Sequence, residues 1–313
     1  MNKIFLQDIL KGLTASPKYL NCKYLYNAEG DKLYQEKMAT ASYYLTNCEY
    51  AILEKFKNDI RTTCLEGVDS FQLIELGVGN GYKSQILLEN FLKNQAIFTY
   101  FPLDISANVL NELQNTLSEA YPQLDIIPIS GNYFSTIKEI HYKSGSRKVI
   151  LFLGSSIGNF SEDEGITFLK MLAHYLVPGD ITLIGFDTKK SPKKIRDAYT
   201  LGPNEAFYKN ILTRINNELE GNFCLADFEH YFKYDPISGR GETFLVSTKN
   251  QTIQLAGIDR NISFSAWEPI HISIHQKYDD EQIELLAQKA GFRVIHNFYD
   301  PHKYFVDSVW SLI

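Results

Sequence analysis

From about residue 69 onward the chain alternates between short apolar runs and amphipathic stretches. Residues 71–76, 97–102, 126–129, 149–153 and 181–186 are rich in β-branched and aromatic side chains and read as buried strands. Between them, 83–92, 109–120 and 164–176 carry apolar residues at a helical period, as at Ile86, Leu87, Phe91 and Leu92. Strand and helix in alternation predict a doubly wound, mostly parallel α/β sheet of the Rossmann-like kind. A C-terminal block adds a helix at 279–290, closed by Gly291, and strands at 294–298 and 304–312.

The rhythm changes between Thr188 and about Gln276. A basic linker (Lys189, Lys190, Lys193, Lys194) leads to a helix near 204–219 and to short strands such as 243–247 and 253–256. Residues 1–48 precede the sheet and hold Tyr19, Tyr24, Tyr26, Tyr34, Tyr43 and Tyr44. The expected organisation is a sheet domain of residues 49–188 and 277–313 and a second, α+β domain of residues 1–48 and 189–276. The second domain is expected at the C-terminal edge of the sheet, where open α/β folds bind ligands.

Composition narrows the function classes. The 313 residues include 37 acidic and 31 basic side chains, a net charge of -6, which disfavours binding to a phosphate backbone. No apolar run reaches the roughly 20 residues of a membrane helix, and Met1-Asn2-Lys3-Ile4-Phe5 opens no signal or transit peptide. A cytoplasmic monomer without nucleic-acid or membrane partners is expected. Cys22, Cys48, Cys64 and Cys224 lack the spacing of a zinc site or a disulfide framework, so reduced thiols and no metal are expected.

Candidate chemistry begins at Ile74-Glu75-Leu76-Gly77-Val78-Gly79-Asn80-Gly81, where a strand meets three glycines at alternate positions ahead of a helix. Such a loop lets a ligand approach the backbone, beside the unpaired N–H groups of the helix start. The spacing is not the Gly-x-Gly-x-x-Gly of dinucleotide folds. Glu75-x-Gly77-x-Gly79-x-Gly81 resembles instead the first motif of S-adenosylmethionine-dependent methyltransferases, although a structural turn is the alternative. Asp104, 23 residues after Gly81, ends the next strand and is placed either to accept ribose hydroxyls or to serve as a helix N-terminal acid. Asn132 and Tyr133 follow the third strand as candidates for the adenine amino group and ring face, or as turn residues. Lys83 sits at a positive helix end, a position that a bound carboxylate would explain and that a solvated lysine also fits.

The motifs together resemble one family. Tyr26 to Gly30, Leu33-Tyr34, Tyr43-Tyr44-Leu45-Thr46-Asn47-Cys48-Glu49, Pro102-Leu103-Asp104-Ile105-Ser106, Leu151 to Phe160 and Gly185-Phe186-Asp187 look like the histidine-specific Nα-methyltransferases of ergothioneine biosynthesis. The likeness continues through Ala198-Tyr199, Arg214 to Leu219 and Ala287 to Phe292, spanning nearly the whole chain. It implies methyl transfer from S-adenosylmethionine to an α-amino nitrogen, with two domains enclosing both ligands. By the resemblance, the cofactor positions are Tyr26, Glu75, Gly77, Gly79, Gly81, Lys83, Asp104, Asn132 and Tyr133. Tyr43, Gly154, Asn159 and Tyr199 hold the amino-acid backbone, with Tyr34 at the pocket wall where the family has phenylalanine. Tyr26, Asn159 and Tyr43 are the candidate catalytic group, with Tyr26 the proton acceptor and the faces of Tyr26, Tyr34 and Tyr43 stabilising the methylated ammonium.

The side-chain pocket departs from the pattern. The family's Ile-His-Thr-Glu-x-Ser-x-Lys run, whose glutamate and serine hold an imidazole, reads here Ile270-His271-Ile272-Ser273-Ile274-His275-Gln276-Lys277, and Thr243 stands at the usual methionine. Loss of a charge-assisted hydrogen bond is worth about 10- to 100-fold in affinity. Fungal relatives lacking this acid act on indole amino acids, so a bulky or aromatic L-amino acid is expected at Thr243, Ser273 and His275. Histidine is the alternative if Glu242 or Glu268 replaces the lost acid, or if His275 is a satisfied structural histidine. Two rivals remain. An amino methyltransferase of bases or proteins would usually carry Asn/Asp-Pro-Pro-aromatic, whereas Gly158-Asn159-Phe160 lacks the prolines. A non-catalytic cofactor-binding protein would not need Tyr43, Asn159 and Tyr199 together.

Overall fold

The structure, a computed structural model, describes residues 3–68, 70–137, 146–255 and 260–313. They form two compact units, Leu45–Lys189 with Gln276–Ile313 and Met1–Tyr44 with Lys190–His275. A 22-residue helix, Tyr44–Leu65, that the apolar pattern did not mark starts at the first of these bounds.

The first unit is built on a sheet in the order Phe292–Tyr299, Phe305–Leu312, Ile181–Asp187, Arg147–Phe152, Ser70–Leu76, Ile97–Asp104 and Asp125–Ile126, with Ile129–Ser130 also paired to Ile97–Asp104. The central strands are parallel, and Phe305–Leu312 is antiparallel to both neighbours. This is the expected Rossmann-like α/β sheet. Its central strands are buried almost throughout, as parallel strands covered on both faces must be. The core is filled by Ile74, Phe152, Phe168, Ile184, Phe186 and Trp310. The strand expected at 126–129 is instead two short pairings, because Pro128 has no N–H to give to the ladder.

Helix boundaries follow their caps. Ser161 and Glu164 form a reciprocal capping box before Glu162–His174, and Asp279 with Gln282 does the same before Asp280–Ala290, which Gly291 ends in the left-handed region at φ 86°.

The second unit pairs Lys18–Tyr19, Pro269–Gln276, Arg240–Ser247 and Phe228–Tyr234 in that order, with a separate hairpin of Gln251–Leu255 and Arg260–Phe264. The last residue of the strand expected at 253–256 lies outside the described residues. Helices Lys3–Leu13, Ala28–Met38, Pro192–Thr200 and Asn204–Leu219 accompany them, and the unit's core includes Phe5, Ile9, Tyr208, Ile211, Leu245 and Ile270. The expected basic linker is a correction: Pro192 at the first turn starts a helix in which Lys193 pairs with Asp197 one turn on. Among the described residues no helix is long and apolar enough to cross a membrane.

Candidate active site

In the sheet unit, the loop after strand Ser70–Leu76 places all three glycines at positive φ: 72° at Gly77, 55° at Gly79 and 67° at Gly81. Side chains would be strained there, and the loop is also packed at its ends. A Cβ on Gly77 would lie 2.4 Å from the Tyr133 hydroxyl and one on Gly81 2.5 Å from Leu113, whereas one on Gly79 would meet open space. The Gly77 N–H donates to the Leu103 carbonyl at 2.8 Å, tying the loop to the next strand. Asp104 completes the tie, its two oxygens accepting from the Gly79 and Ser106 N–H groups at 3.0 Å each. Each carboxylate oxygen keeps further lone-pair capacity.

Glu75 is buried, and the Tyr100 hydroxyl donates to it at 2.5 Å. Burial pushes its carboxyl up to about 7, against the lowering effect of the Tyr100 and Ser84 hydrogen bonds. Glu75 therefore braces the strand end rather than presenting a free carboxylate. Tyr133 packs its ring against Phe152 and Phe168, while the exposed Asn132 starts a short turn whose Thr136 N–H and hydroxyl both reach the Asn132 carbonyl.

Lys83 has a carboxylate partner within the protein itself. Its ammonium pairs with Glu49, which is fully buried and accepts the Gly154 N–H at 2.7 Å through its other oxygen. The cation at a positive helix end is thus explained by Glu49, a residue quoted in the sequence motif but assigned no role there. Asp307 is also buried, and desolvation followed by repulsion from Glu49 holds its carboxyl well above the usual range. Gly154 adopts φ 74°, and Asn159 ends the turn Ser156–Asn159 with an exposed side chain.

In the second unit Tyr26, Tyr34, Tyr43 and Tyr199 form an aromatic cluster, whereas Gly154 and Asn159 belong to the sheet unit. Tyr26 and Tyr34 lie edge to face at 5.7 Å, Tyr34 and Tyr43 at 6.4 Å, and Tyr43 and Tyr199 at 6.3 Å. Burial, then the Tyr34 and Tyr199 phenols, hold the Tyr43 hydroxyl well above its ordinary pKa, so it remains a neutral hydrogen-bonding group. Sequence reasoning passed over the cation in this cluster. Lys37, only 2 % exposed, lies 4.8 Å from the Tyr43 ring centre, 5.0 Å from Tyr199, 5.2 Å from Tyr208 and 5.4 Å from Phe207. The signal was available: Leu33, Tyr34 and Lys37 share one face of a helix at three- and four-residue spacing.

The three departing pocket positions form one hub. Ser273 Oγ, Thr243 Oγ1 and Tyr208 Oη lie 2.8, 3.1 and 3.2 Å from His275 Nε2. Neither acid proposed as a substitute joins it: Glu242 pairs with Arg240 at 3.0 Å, and Glu268 pairs with Lys18 and accepts the Ser265 N–H.

Comparison with known proteins identifies the lineage. The model of the histidine-specific, S-adenosylmethionine-dependent methyltransferase family matches residues 5–312. The chain belongs to this family. It is 31% identical to the histidine N-alpha-methyltransferase of Mycolicibacterium smegmatis, over 94% of this chain and 91% of that one. It is 30% identical to the L-tryptophan methyltransferase of Psilocybe serbica, over 90% of this chain and 86% of that one. A solved structure of a protein from Pyrococcus horikoshii OT3 aligns with TM-score 0.51 and 12% identity, over 92% of this chain and all of that one, a likeness of fold.

The protein is thus an S-adenosylmethionine-dependent methyltransferase, and its sheet unit fits that cofactor. The middle glycine of the loop is open to a close approach, and Asp104 has acceptor capacity beyond its two backbone bonds. Among the described residues no cluster of metal-ligating side chains occurs.

Proposed function

We propose that this methyltransferase acts on the α-amino group of a free L-amino acid and that histidine is not its preferred substrate. The observation that carries this reading is the hub at His275. Its groups are hydroxyls and an imidazole, and the two acids that might have received a substrate imidazole N–H are engaged with Arg240 and Lys18. A bulky or aromatic side chain is the preference drawn from sequence, and the tryptophan-methylating relative supports it. Histidine is the second reading, supported by the histidine-methylating relative at slightly higher identity.

In this proposal Gly77, Gly79, Gly81, Lys83, Asp104, Asn132 and Tyr133 hold S-adenosylmethionine, with Glu75 bracing the loop, and the bound cofactor supplies an electrophilic methyl group on a sulfonium. Tyr26, Tyr34, Tyr43, Gly154, Asn159 and Tyr199 are assigned to the amino acid. Tyr43, a neutral phenol, and Asn159 orient the amine, and the Tyr26 hydroxyl oxygen accepts the proton that the ammonium must lose before its nitrogen can attack while its own hydroxyl proton passes to solvent. Orientation provides most of the acceleration, since an in-line displacement needs alignment above all.

A methyl-transfer assay over the proteinogenic amino acids and their methyl esters tests the reading. A free amino acid should be methylated on its α-nitrogen, and esterifying its carboxyl should lower kcat/KM by about tenfold or more through the lost charge-assisted bond. Equal use of acid and ester would remove the carboxylate clamp, and methylation of histidine ahead of all others would favour the second reading.

A further inference from the structure

We propose that Asp307 is a positioning residue for methyl transfer: a buried carboxylic acid that keeps its proton and gives it to Glu49, holding in place the carboxylate that joins Lys83 to Gly154. This rests on the assignment of Lys83 to the cofactor and of Gly154 to the amino acid. The linkage lies wholly within the sheet unit. Glu49, on helix Tyr44–Leu65, pairs with Lys83 through one oxygen and accepts the Gly154 N–H at 2.7 Å through the other. Lys83 Nζ also lies 3.3 Å from where a Cβ on Gly154 would stand. One buried carboxylate thus fixes a residue assigned to each ligand.

Asp307 is fully buried on strand Phe305–Leu312. Across the sheet it stands opposite Gly185 on one neighbouring strand and Phe298 on the other, and neither has a side chain that can donate. Among the described residues neither Asp307 oxygen has a hydrogen-bond donor. An ionised carboxylate there would be buried without a partner and set beside a second carboxylate, and each condition is costly. A proton removes both costs. The Asp307 carboxyl is within hydrogen-bonding reach of Glu49, and its O–H becomes a donor to a charged acceptor that keeps lone pairs to spare. Burial, then the Glu49 charge, outweigh the opposing charge of Lys83. Glu75, the other buried acid that feels Lys83 and Glu49, takes its hydrogen bond from Tyr100 instead. The sheet leaves room for the pair at Gly185, where a Cβ would collide with Glu49 Oε1.

The test uses Asp307→Asn, which keeps the shape and a donor, and Asp307→Leu, which keeps the bulk without one. Infrared difference spectra of wild type against Asp307→Asn near neutral pH should show the carbonyl stretch of a protonated carboxyl in the wild type only. An ionised-carboxylate band in its place would overturn the proposal. Positioning is read from calorimetric affinity for S-adenosylhomocysteine and from KM for L-histidine or L-tryptophan, whichever the wild type methylates faster. Asp307→Asn should match wild type in both, and Asp307→Leu should weaken both about tenfold, the lower end of the range for a hydrogen bond to a charged group. Gly185→Ala, which leaves Asp307 in place and pushes Glu49 aside, should produce the same double loss. Asp307→Leu behaving as wild type, or Asp307→Asn losing as much as Asp307→Leu, would overturn the proposal. Should Asp307→Leu not fold, Asp307→Asn and Gly185→Ala decide. Lys83→Met separates the proposal from the reading beneath it. If S-adenosylhomocysteine binds that variant as tightly as wild type, the assignment of Lys83 fails and the proposal with it. Lost affinity in Lys83→Met beside an ionised Asp307 would leave the assignment standing and overturn the proposal alone.

Discussion

At the scale of single residues, Asp104 joins loop geometry to cofactor recognition. Its carboxylate accepts the Gly79 and Ser106 N–H groups, so it fixes the open middle of the glycine loop and would also meet the ribose hydroxyls assigned to it. Asp104→Ala removes both contributions, and affinity for S-adenosylmethionine should fall by about 2 kcal/mol, or roughly 30-fold. Calorimetric titration checks this, and an unchanged constant would take Asp104 out of the site. Lys83 shows the opposite relation between sequence and structure. Its position on the helix was legible and its partner was not, because Glu49 stands 34 residues earlier on a helix that the apolar pattern did not mark.

At the scale of elements, agreement is best where local chemistry decides. The helix at Asn204–Leu219 falls on the residues its period marks, and the one before Gly291 stops where a residue without Cβ can take positive φ. Ser161 and Glu164 form their capping box at the solvent-exposed start of helix Glu162–His174, two residues after Asn159, and neither of the two is assigned to substrate or cofactor. Ser161→Ala should therefore lower stability by about 1 kcal/mol in urea unfolding and leave kcat and KM unchanged. A large kinetic effect would mean that this helix start does more than cap. Elements went unassigned where periodicity was masked. Ala28–Met38 buries a lysine on its inner face, and Pro192–Thr200 begins in a run of charge that reads as a linker.

At the scale of the whole molecule, buried titratable groups set the response to pH. His230, in the second unit, has its pKa lowered to about 4, first by burial and then by the Lys37 charge. The unfolded chain binds that proton near pH 6.5, so stability is fully present above this value and is lost as pH falls towards 4, by on the order of 2 kcal/mol. Guanidinium unfolding at a series of pH values should follow this limb, and His230→Phe should flatten it; an unaltered slope would show that His230 does not titrate on unfolding. Glu75, raised to about 7, acts in the other direction, costing stability as pH rises from the ordinary carboxylate range through 7. The sequence by itself determined the α/β alternation, the glycine loop, Asp104 and family membership, because each is written in spacings of a few residues that act through local geometry. It determined also that the acid was missing from the pocket run at Ser273 and His275. Only the tertiary structure decided what stands in its place. Lys37 and Tyr208 are 171 residues apart and Tyr208 and His275 are 67 apart, and no local period connects them. Burial of a charge among rings and hydroxyls is a property of packing, which exists only once distant segments have been folded together.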